Sequence, residues 1–329
     1  MRTVPLALAA GLAAIAATSG AAPAAADPIT GPIAGPSSAD GVLVYSQLDP
    51  DGRWSLHQRD RSGALRRLDV PRSGGPFDVD MSHTADNETV ALYSRCTSVC
   101  RIYELSVDTG RERLVPGVHA PGHSETMPTL HHGVLGFQRD RADESGGSYR
   151  LIARRGGARS RPVKALRADQ TVTGADLSAR GLALSTSRFE PVSAGGTEEV
   201  SVQVKPSNRP FRTVFDSRSG EAAVTITPPS WRADDVYWGF TRHYDPPVGD
   251  PTSPKLLRAR VTADEIDRDE TAAPDPLGEE GTLVTGVAAD DFDREQPLWI
   301  ATTRYADEGE GEERTALDAY PLDSLNFGR

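Results

Sequence analysis

An all-β chain made from one repeated sheet is what this sequence predicts, and three observations predict it. First, six short apolar runs recur: Val42-Leu43-Val44-Tyr45-Ser46-Gln47, Val90-Ala91-Leu92-Tyr93-Ser94-Arg95, Val134-Leu135-Gly136-Phe137-Gln138-Arg139, Leu182-Ala183-Leu184-Ser185-Thr186-Ser187-Arg188, Val236-Tyr237-Trp238-Gly239-Phe240-Thr241-Arg242 and Leu298-Trp299-Ile300-Ala301-Thr302-Thr303-Arg304. The residues opening them, Gly41, Thr89, Gly133, Gly181, Asp235 and Pro297, lie 44 to 62 positions apart. A period in that range marks stacked supersecondary units. Second, each run is apolar at successive rather than alternate positions, as a strand covered on both faces reads. Third, 25 prolines and 31 glycines in 329 residues favour many turns over long helices.

The pattern around each run is regular. A polar loop follows, then a third strand: Trp54 to His57, Arg101 to Leu105, Tyr149 to Ala153, Val200 to Val204, Leu256 to Ala259 and Ala316 to Tyr320. A more polar outer run comes next, as in Leu65 to Leu68, Arg111 to Leu114 and Phe211 to Val214, while Asp264 to Glu270 is a weak version. Arginine-rich edges of this kind defend an exposed strand by charge. Before five of the apolar runs stands a further candidate strand: Phe77 to Ser82, Thr126 to Leu130, Val172 to Leu177, Ala223 to Thr227 and Val284 to Ala288. The expected unit is thus a four-stranded antiparallel meander with short turns. Six of them arranged radially make a six-bladed β-propeller of four-stranded antiparallel blades. A β-sandwich, or two all-β domains, would explain the strands but not their period.

Residues 1–26 read as an export signal, with Arg2 as the positive start, Leu6 to Ala17 as the apolar stretch and Ala24-Ala25-Ala26 as the small-residue cleavage site. About 12 apolar residues fall short of the ~20 that a bilayer-spanning helix needs. Residues 27–40, rich in proline and glycine, are a linker or the strand that closes the ring, and 41–329 form a single propeller domain. Either residues 28–36 supply the missing inner strand or Leu322 to Phe327 closes the circle. Formal net charge is −11, and −12 without Arg2. That balance argues against nucleic acid as a partner, because Lys and Arg must neutralise phosphates there. It suits a protein or cell-envelope partner of neutral or cationic character. A secreted monomer with no membrane insertion is the expectation.

Cys96 and Cys100 flank a Thr-Ser-Val turn, and in an oxidising compartment a disulfide is the natural reading. A loop that short contributes about 2 kcal/mol by chain entropy. Zinc would need further ligands, and none lie in the local sequence.

The run Arg101-Ile102-Tyr103-Glu104-Leu105-Ser106-Val107-Asp108-Thr109-Gly110 fits a strand-and-turn pattern of Ile-Tyr-x-x-Asp-x-x-Thr-Gly type, and Asp176 to Gly181 and Met81 to Asp86 are degenerate forms of a Ser-Pro-Asp-Gly turn. On these residues the chain resembles the TolB-type, WD-repeat-like bacterial β-propellers across about residues 41–320. The resemblance implies a propeller fold and a non-catalytic interaction scaffold.

In a meander, every connection from the second strand to the third emerges at one end of the ring. Those loops are expected at Asp49–Arg53, Cys96–Cys100, Asp140–Ser148, Phe189–Thr197, His243–Pro254 and Tyr305–Glu313. Loops gathered on one face of a rigid scaffold are where binding usually resides. Five of the six apolar runs end in arginine at that rim, namely Arg95, Arg139, Arg188, Arg242 and Arg304. A ring of guanidinium groups would grip carboxylate, sulfate or phosphate groups. Equally, each arginine would pair with a loop acid such as Asp140, Glu190, Asp245 or Asp307 and staple its own loop. Four of the seven histidines fall between His119 and His132. Eight strand residues from His123 to His131 span about 26 Å, so His119 and His123 face one end and His131 and His132 the other. His119 and His123, with Glu125, are candidates for the channel mouth.

No G-x-S-x-G and no H-E-x-x-H is present, and no catalytic residue or metal ligand is assigned. Asp49-Pro50-Asp51-Gly52 and Asp290-Asp291-Phe292-Asp293 have carboxylate spacing that would admit calcium, but neither completes a calcium loop, so no cofactor is expected. The function expected is an exported, non-catalytic scaffold. The alternative is a secreted carbohydrate-active hydrolase or lyase, whose first suspects are the channel carboxylates Glu125, Asp176 and Asp290.

Overall fold

Six antiparallel sheets, each of which opens on an inner strand that packs against those of its neighbours, account for nearly all of the regular structure. The computed structural model describes residues 29–141, 147–154, 159–192, 195–219, 223–243, 254–262, 265–272, 282–304, 314–325 and 327. Blade 1 runs outward through Ile33–Ala39, Val42–Leu48, Trp54–Arg59 and Leu65–Arg67. Blade 2 follows with Val79–His83, Thr89–Cys96, Cys100–Ser106 and Glu112–Leu114. Blade 3 comprises His123–His131, Val134–Arg141, Gly147–Ala153 and Arg161–Ala165, and blade 4 Gln170–Ser178, Gly181–Val192, Gly195–Pro206 and Arg212–Ser219. In blade 5 the inner strand is split into Ala223–Ile226 and Ser230–Arg232, both paired to Asp235–His243, with Lys255–Val261 and Ile266–Ala272 outside. Blade 6 has Thr282–Ala288, Leu298–Arg304 and Arg314–Tyr320, and its outermost place is taken by Ile29–Thr30.

The chain is therefore a six-bladed β-propeller. The stretch 27–40 supplies two strands: Ile29 and Thr30 pair with Leu317 and Ala316 of blade 6, and Ile33–Ala39 is the inner strand of blade 1. Beyond the last strand, Leu322–Ser324 forms a single 3-10 turn. Leu325 and Phe327 then pack against the apolar cluster of blades 5 and 6.

The double-sided apolar runs have a direct explanation, since the core is divided into six clusters, one at each seam between blades. In the second strand of blade 2, Val90 and Leu92 face blade 3, while Ala91 and Tyr93 face blade 1. In blade 6, Leu298 and Ile300 face blade 5, and Trp299 and Ala301 face blade 1. Each fully buried aliphatic side chain of this kind contributes roughly 1.5–3 kcal/mol.

Inner strands are crowded near the axis, and glycine and proline mark where. Register shifts interrupt them between Ala34 and Ser37, Thr126 and Thr129, Val172 and Gly174, and Val284 and Gly286. At the equivalent place blade 5 breaks around Pro228 and Pro229. A Cβ on Gly174 would lie 2.4 Å from Pro228 Cα, and one on Gly286 would lie 2.5 Å from Pro36 Cδ. Only glycine lets adjacent blades approach this closely.

Candidate functional site

The register places the five arginines of the rim at one end. Arg139, Arg188, Arg242 and Arg304 each pair with a residue at or near the start of their own inner strand, namely Glu125, Gln170, Val224 and Thr282. Arg95 lies next to the second-to-third loop of blade 2. This loop end is the face expected from topology.

Arg95, Arg139 and Arg188 each meet an acid among the described residues. Arg95 Nη1 donates to Glu112 Oε1 at 2.8 Å, and its guanidinium stacks 3.7 Å from the Tyr103 ring centre. Arg139 Nε donates to Glu125 Oε1 at 3.2 Å and its Nη2 to the Val118 carbonyl. Arg188 reaches Asp169 Oδ2 at 2.7 Å and Glu199 Oε2 at 3.4 Å. All these acids sit on strands or on outer-to-inner connections rather than on the second-to-third loops. Arg242 Nη2 makes a 3.4 Å contact with Ser217 Oγ, and both Arg242 and Arg304 are exposed. Asp245 and Asp307, and most of the loops 140–148, 243–254 and 305–313, lie outside the described residues.

The densest arrangement surrounds Glu125, at the seam of blades 2 and 3. Its side chain is fully buried. It accepts from Arg101 Nη1 at 2.8 Å, Arg139 Nε at 3.2 Å and the Ala120 N–H at 3.1 Å, and shares a 3.2 Å hydrogen bond with His119 Nδ1. One buried carboxylate thus gathers two guanidinium groups and an imidazole, leaving a local excess of positive charge on an acidic protein. His119 Nε2 is buried without a hydrogen-bond partner, whereas His123 Nδ1 bonds to the Pro121 carbonyl at 2.8 Å. The Cys96–Cys100 disulfide is formed, with the sulfurs 2.03 Å apart. It closes the loop that carries Arg101, and the Cys100 N–H donates to Ser124 Oγ of blade 3 at 3.2 Å. Arg101 escaped the sequence reading because it opens an ordinary third strand, and no spacing indicates that it reaches into the next blade.

The second-to-third loop expected at Phe189–Thr197 is not a loop. Gly181–Val192 and Gly195–Pro206 stay paired out to Val192 and Gly195, so a hairpin arm extends the blade, with Phe189 57% exposed. No apolar alternation in the sequence announces this arm.

The channel carboxylates have a different use. Asp176 Oδ2 accepts the Trp231 N–H of blade 5 at 2.6 Å, and Asp290 Oδ2 accepts the Gly41 N–H of blade 1 at 2.7 Å. Every seam carries a bond of this kind. Ser37 Oγ takes Met81 N at 2.8 Å, Asp80 Oδ2 takes Leu130 N at 2.9 Å, Gln138 Oε1 takes Val172 N at 3.0 Å and Ser230 Oγ takes Ala289 N at 2.9 Å. A side-chain acceptor in each blade thus satisfies an inner backbone N–H of the next, all the way around. Burial pushes the Asp80 carboxyl up to about 8. Burial, and then the charge of Asp80, raises that of Asp176 well above the usual carboxylate range. Burial outweighs the Ser94 hydroxyl and the backbone donors around it to raise Asp78 as well.

The fold and the rim define a six-bladed propeller with a basic cluster at its loop end. No protein-family model matches the chain, and no curated protein matches it. Among solved structures it is similar to TolB from Acinetobacter baumannii, at 12% identity over 85% of this chain and 64% of that one, with a TM-score of 0.45. It is also similar to a mutant puromycin hydrolase complexed with PGG, at 15% identity over 83% of this chain and 50% of that one, with a TM-score of 0.50. A third similarity is to oligogalacturonate lyase from Vibrio parahaemolyticus, at 10% identity, 91% and 93% coverage and a TM-score of 0.47. The chain spans less than two thirds of the length of the TolB and hydrolase chains. These likenesses speak to the fold alone.

Proposed function

We propose that this protein is an exported, non-catalytic scaffold that binds a protein or cell-envelope partner at the loop end of its ring. The observation that carries the reading is the use of the channel acids. Asp176 and Asp290 are occupied by backbone N–H groups and Glu125 by two arginines and a histidine, so the suspected catalytic carboxylates serve as structural acceptors. Arg95, Arg139, Arg188, Arg242, Arg304, His119 and His123 are the proposed contact residues, and carboxylate-bearing groups suit guanidinium donors. The disulfide supports export, and among the described residues no helix is long and apolar enough to cross a membrane. The signal at residues 1–26 lies outside the described residues and remains part of the proposal.

Capture from envelope extract by the immobilised chain, compared with Arg188→Ala and Arg242→Ala chains whose melting is measured in parallel, tests this reading. Loss of capture at unchanged melting temperature is expected. Lower melting with capture intact would reduce these arginines to staples. One observation favours the enzymatic alternative: Asp80 and Asp176 lie close enough for one charge to raise the other's proton affinity, as paired carboxylates of an acid–base site do. Turnover of any member of a polysaccharide panel, abolished in Asp80→Asn or Asp176→Asn, would favour that alternative.

A further inference from the structure

The opposite end of the ring, where the inner-to-second turns emerge, holds a feature that the proposed binding face leaves unused. Blade 6 carries its longest inner-to-second connection there, and both flanks are fastened. Asp290 Oδ1 accepts the N–H groups of Phe292 and Asp293, each at 2.9 Å, while its other oxygen holds Gly41 of blade 1. Asp291 Oδ1 takes the Ala233 N–H of blade 5 at 2.7 Å. The buried Arg232 donates to the carbonyls of Gln296, at 2.7 Å, and Arg294. Between these anchors Phe292 projects inward. Its ring centre lies 4.0 Å from that of His83 in blade 2, and 5.7 and 5.8 Å from those of His131 and His132 in blade 3. Blades 6 and 3 are opposite one another in a ring of six. A side chain of one that stacks on a side chain of the other lies across the axis.

We propose that the loop Ala289–Gln296 is a plug over the turn end of the axis, held shut by Phe292 packed among the rings of His83, His131 and His132 and released when His83 and His131 gain protons. His131 and His132 are already 4.5 Å apart between ring centres, and His83 and His132 are 6.2 Å apart, so a charge on His131 or His83 is set within a crowded group of rings around the apolar Phe292. His131 Nδ1 is buried with no hydrogen-bond partner, so a proton added there finds no acceptor. The other charged groups facing the cluster are Asp40, 4.0 Å from His83 Nε2, Arg61, which is paired to that same Asp40, and Asp290 in the loop itself. Asp40 and Asp290 favour the charged form of His83, while burial, His132 and, least, Arg61 oppose it. Burial, then His132 and His83, lowers His131 to about 4, and burial also lowers His83. Through His83 and His131 the closed plug holds fewer protons than the open one, so that contribution is lost as pH falls from about 6.5 toward 4. Burial raises Asp291 in the loop, whose contribution has the opposite sign and is lost as pH rises.

Hydrogen–deuterium exchange on the full chain at pH 7.5 and 5.0, corrected for intrinsic rates, tests the plug. Protection at Phe292, Asp293 and Ala233 should fall at least tenfold in acid while that of the second strands holds. In His131→Phe, which keeps an aromatic ring in place, the acid response should shrink to under threefold. Phe292→Ala should show the acid level of exchange already at pH 7.5. Equal protection of the wild-type loop at both pH values, an undiminished acid response in His131→Phe, or an unaltered loop in Phe292→Ala would each overturn the proposal. The wild-type comparison decides even if a variant does not fold.

Discussion

Replacing Asp80 by asparagine separates two things its carboxyl does. Asparagine still offers an oxygen to the Leu130 N–H, but it cannot titrate. The folded wild-type protein keeps a proton on Asp80 up to about pH 8, whereas the unfolded chain releases it near 4. That contribution to stability is therefore full below about 4, falls as pH rises through the window, and levels off above 8. Thermal melts from pH 5 to 8.5 should show a smaller decline for Asp80→Asn than for wild type. Glu125 has a different part, as the acceptor that the surrounding donors share. Glu125→Ala leaves Arg101 and Arg139 without their shared carboxylate and should cost about 3 kcal/mol, the scale for breaking a buried ion pair, read from denaturant unfolding. At this scale the sequence said least. Asp176 and Asp290 were visible as acids on or beside inner strands, but an acid that accepts a neighbour's N–H and an acid that works on a substrate are written with the same letter.

Strands and turns were more legible, and the reason is packing. A second strand touches two seams, so its letters are apolar throughout, and all six were found. An inner strand is half channel and half seam, bent by bulges at residues such as Gly174 and Gly286, and its pattern is correspondingly weaker. The arm beyond Phe189 carries no apolar alternation in its sequence, so it read as loop. Two outcomes belong to this level. Cys96→Ser with Cys100→Ser removes the clamp beneath Arg101, and thermal unfolding should report a loss of about 2 kcal/mol. Gly286→Ala would press a methyl group onto Pro36 across the seam, and overpacking of that kind should destabilise the protein by about 1–3 kcal/mol, measured by the same melts.

Over the whole molecule, the recurrence of the runs was enough to count the blades, because radial repetition gives each unit the same order of strands and the same polarity pattern. How the circle closes was not deducible from that pattern. Ile29–Thr30 is too short a strand to show periodicity, and its partner Arg314–Tyr320 lies at the far end of the chain. Deleting residues through Thr30 should uncover that partner edge, lowering the melting temperature and producing concentration-dependent association by light scattering, as exposed edges do.

That clasp also governs the order in which the protein can be made. Ile29 and Thr30 stay unpaired until Ala316 and Leu317 of blade 6 are present. A chain halted before blade 6 would leave Ile33, Leu43 and Tyr45 of blade 1 with no opposing wall. Pairings so distant along the chain form slowly, and an unfinished product stays recognisable by its open side. The first blade is therefore walled on both faces only when the sixth is in place.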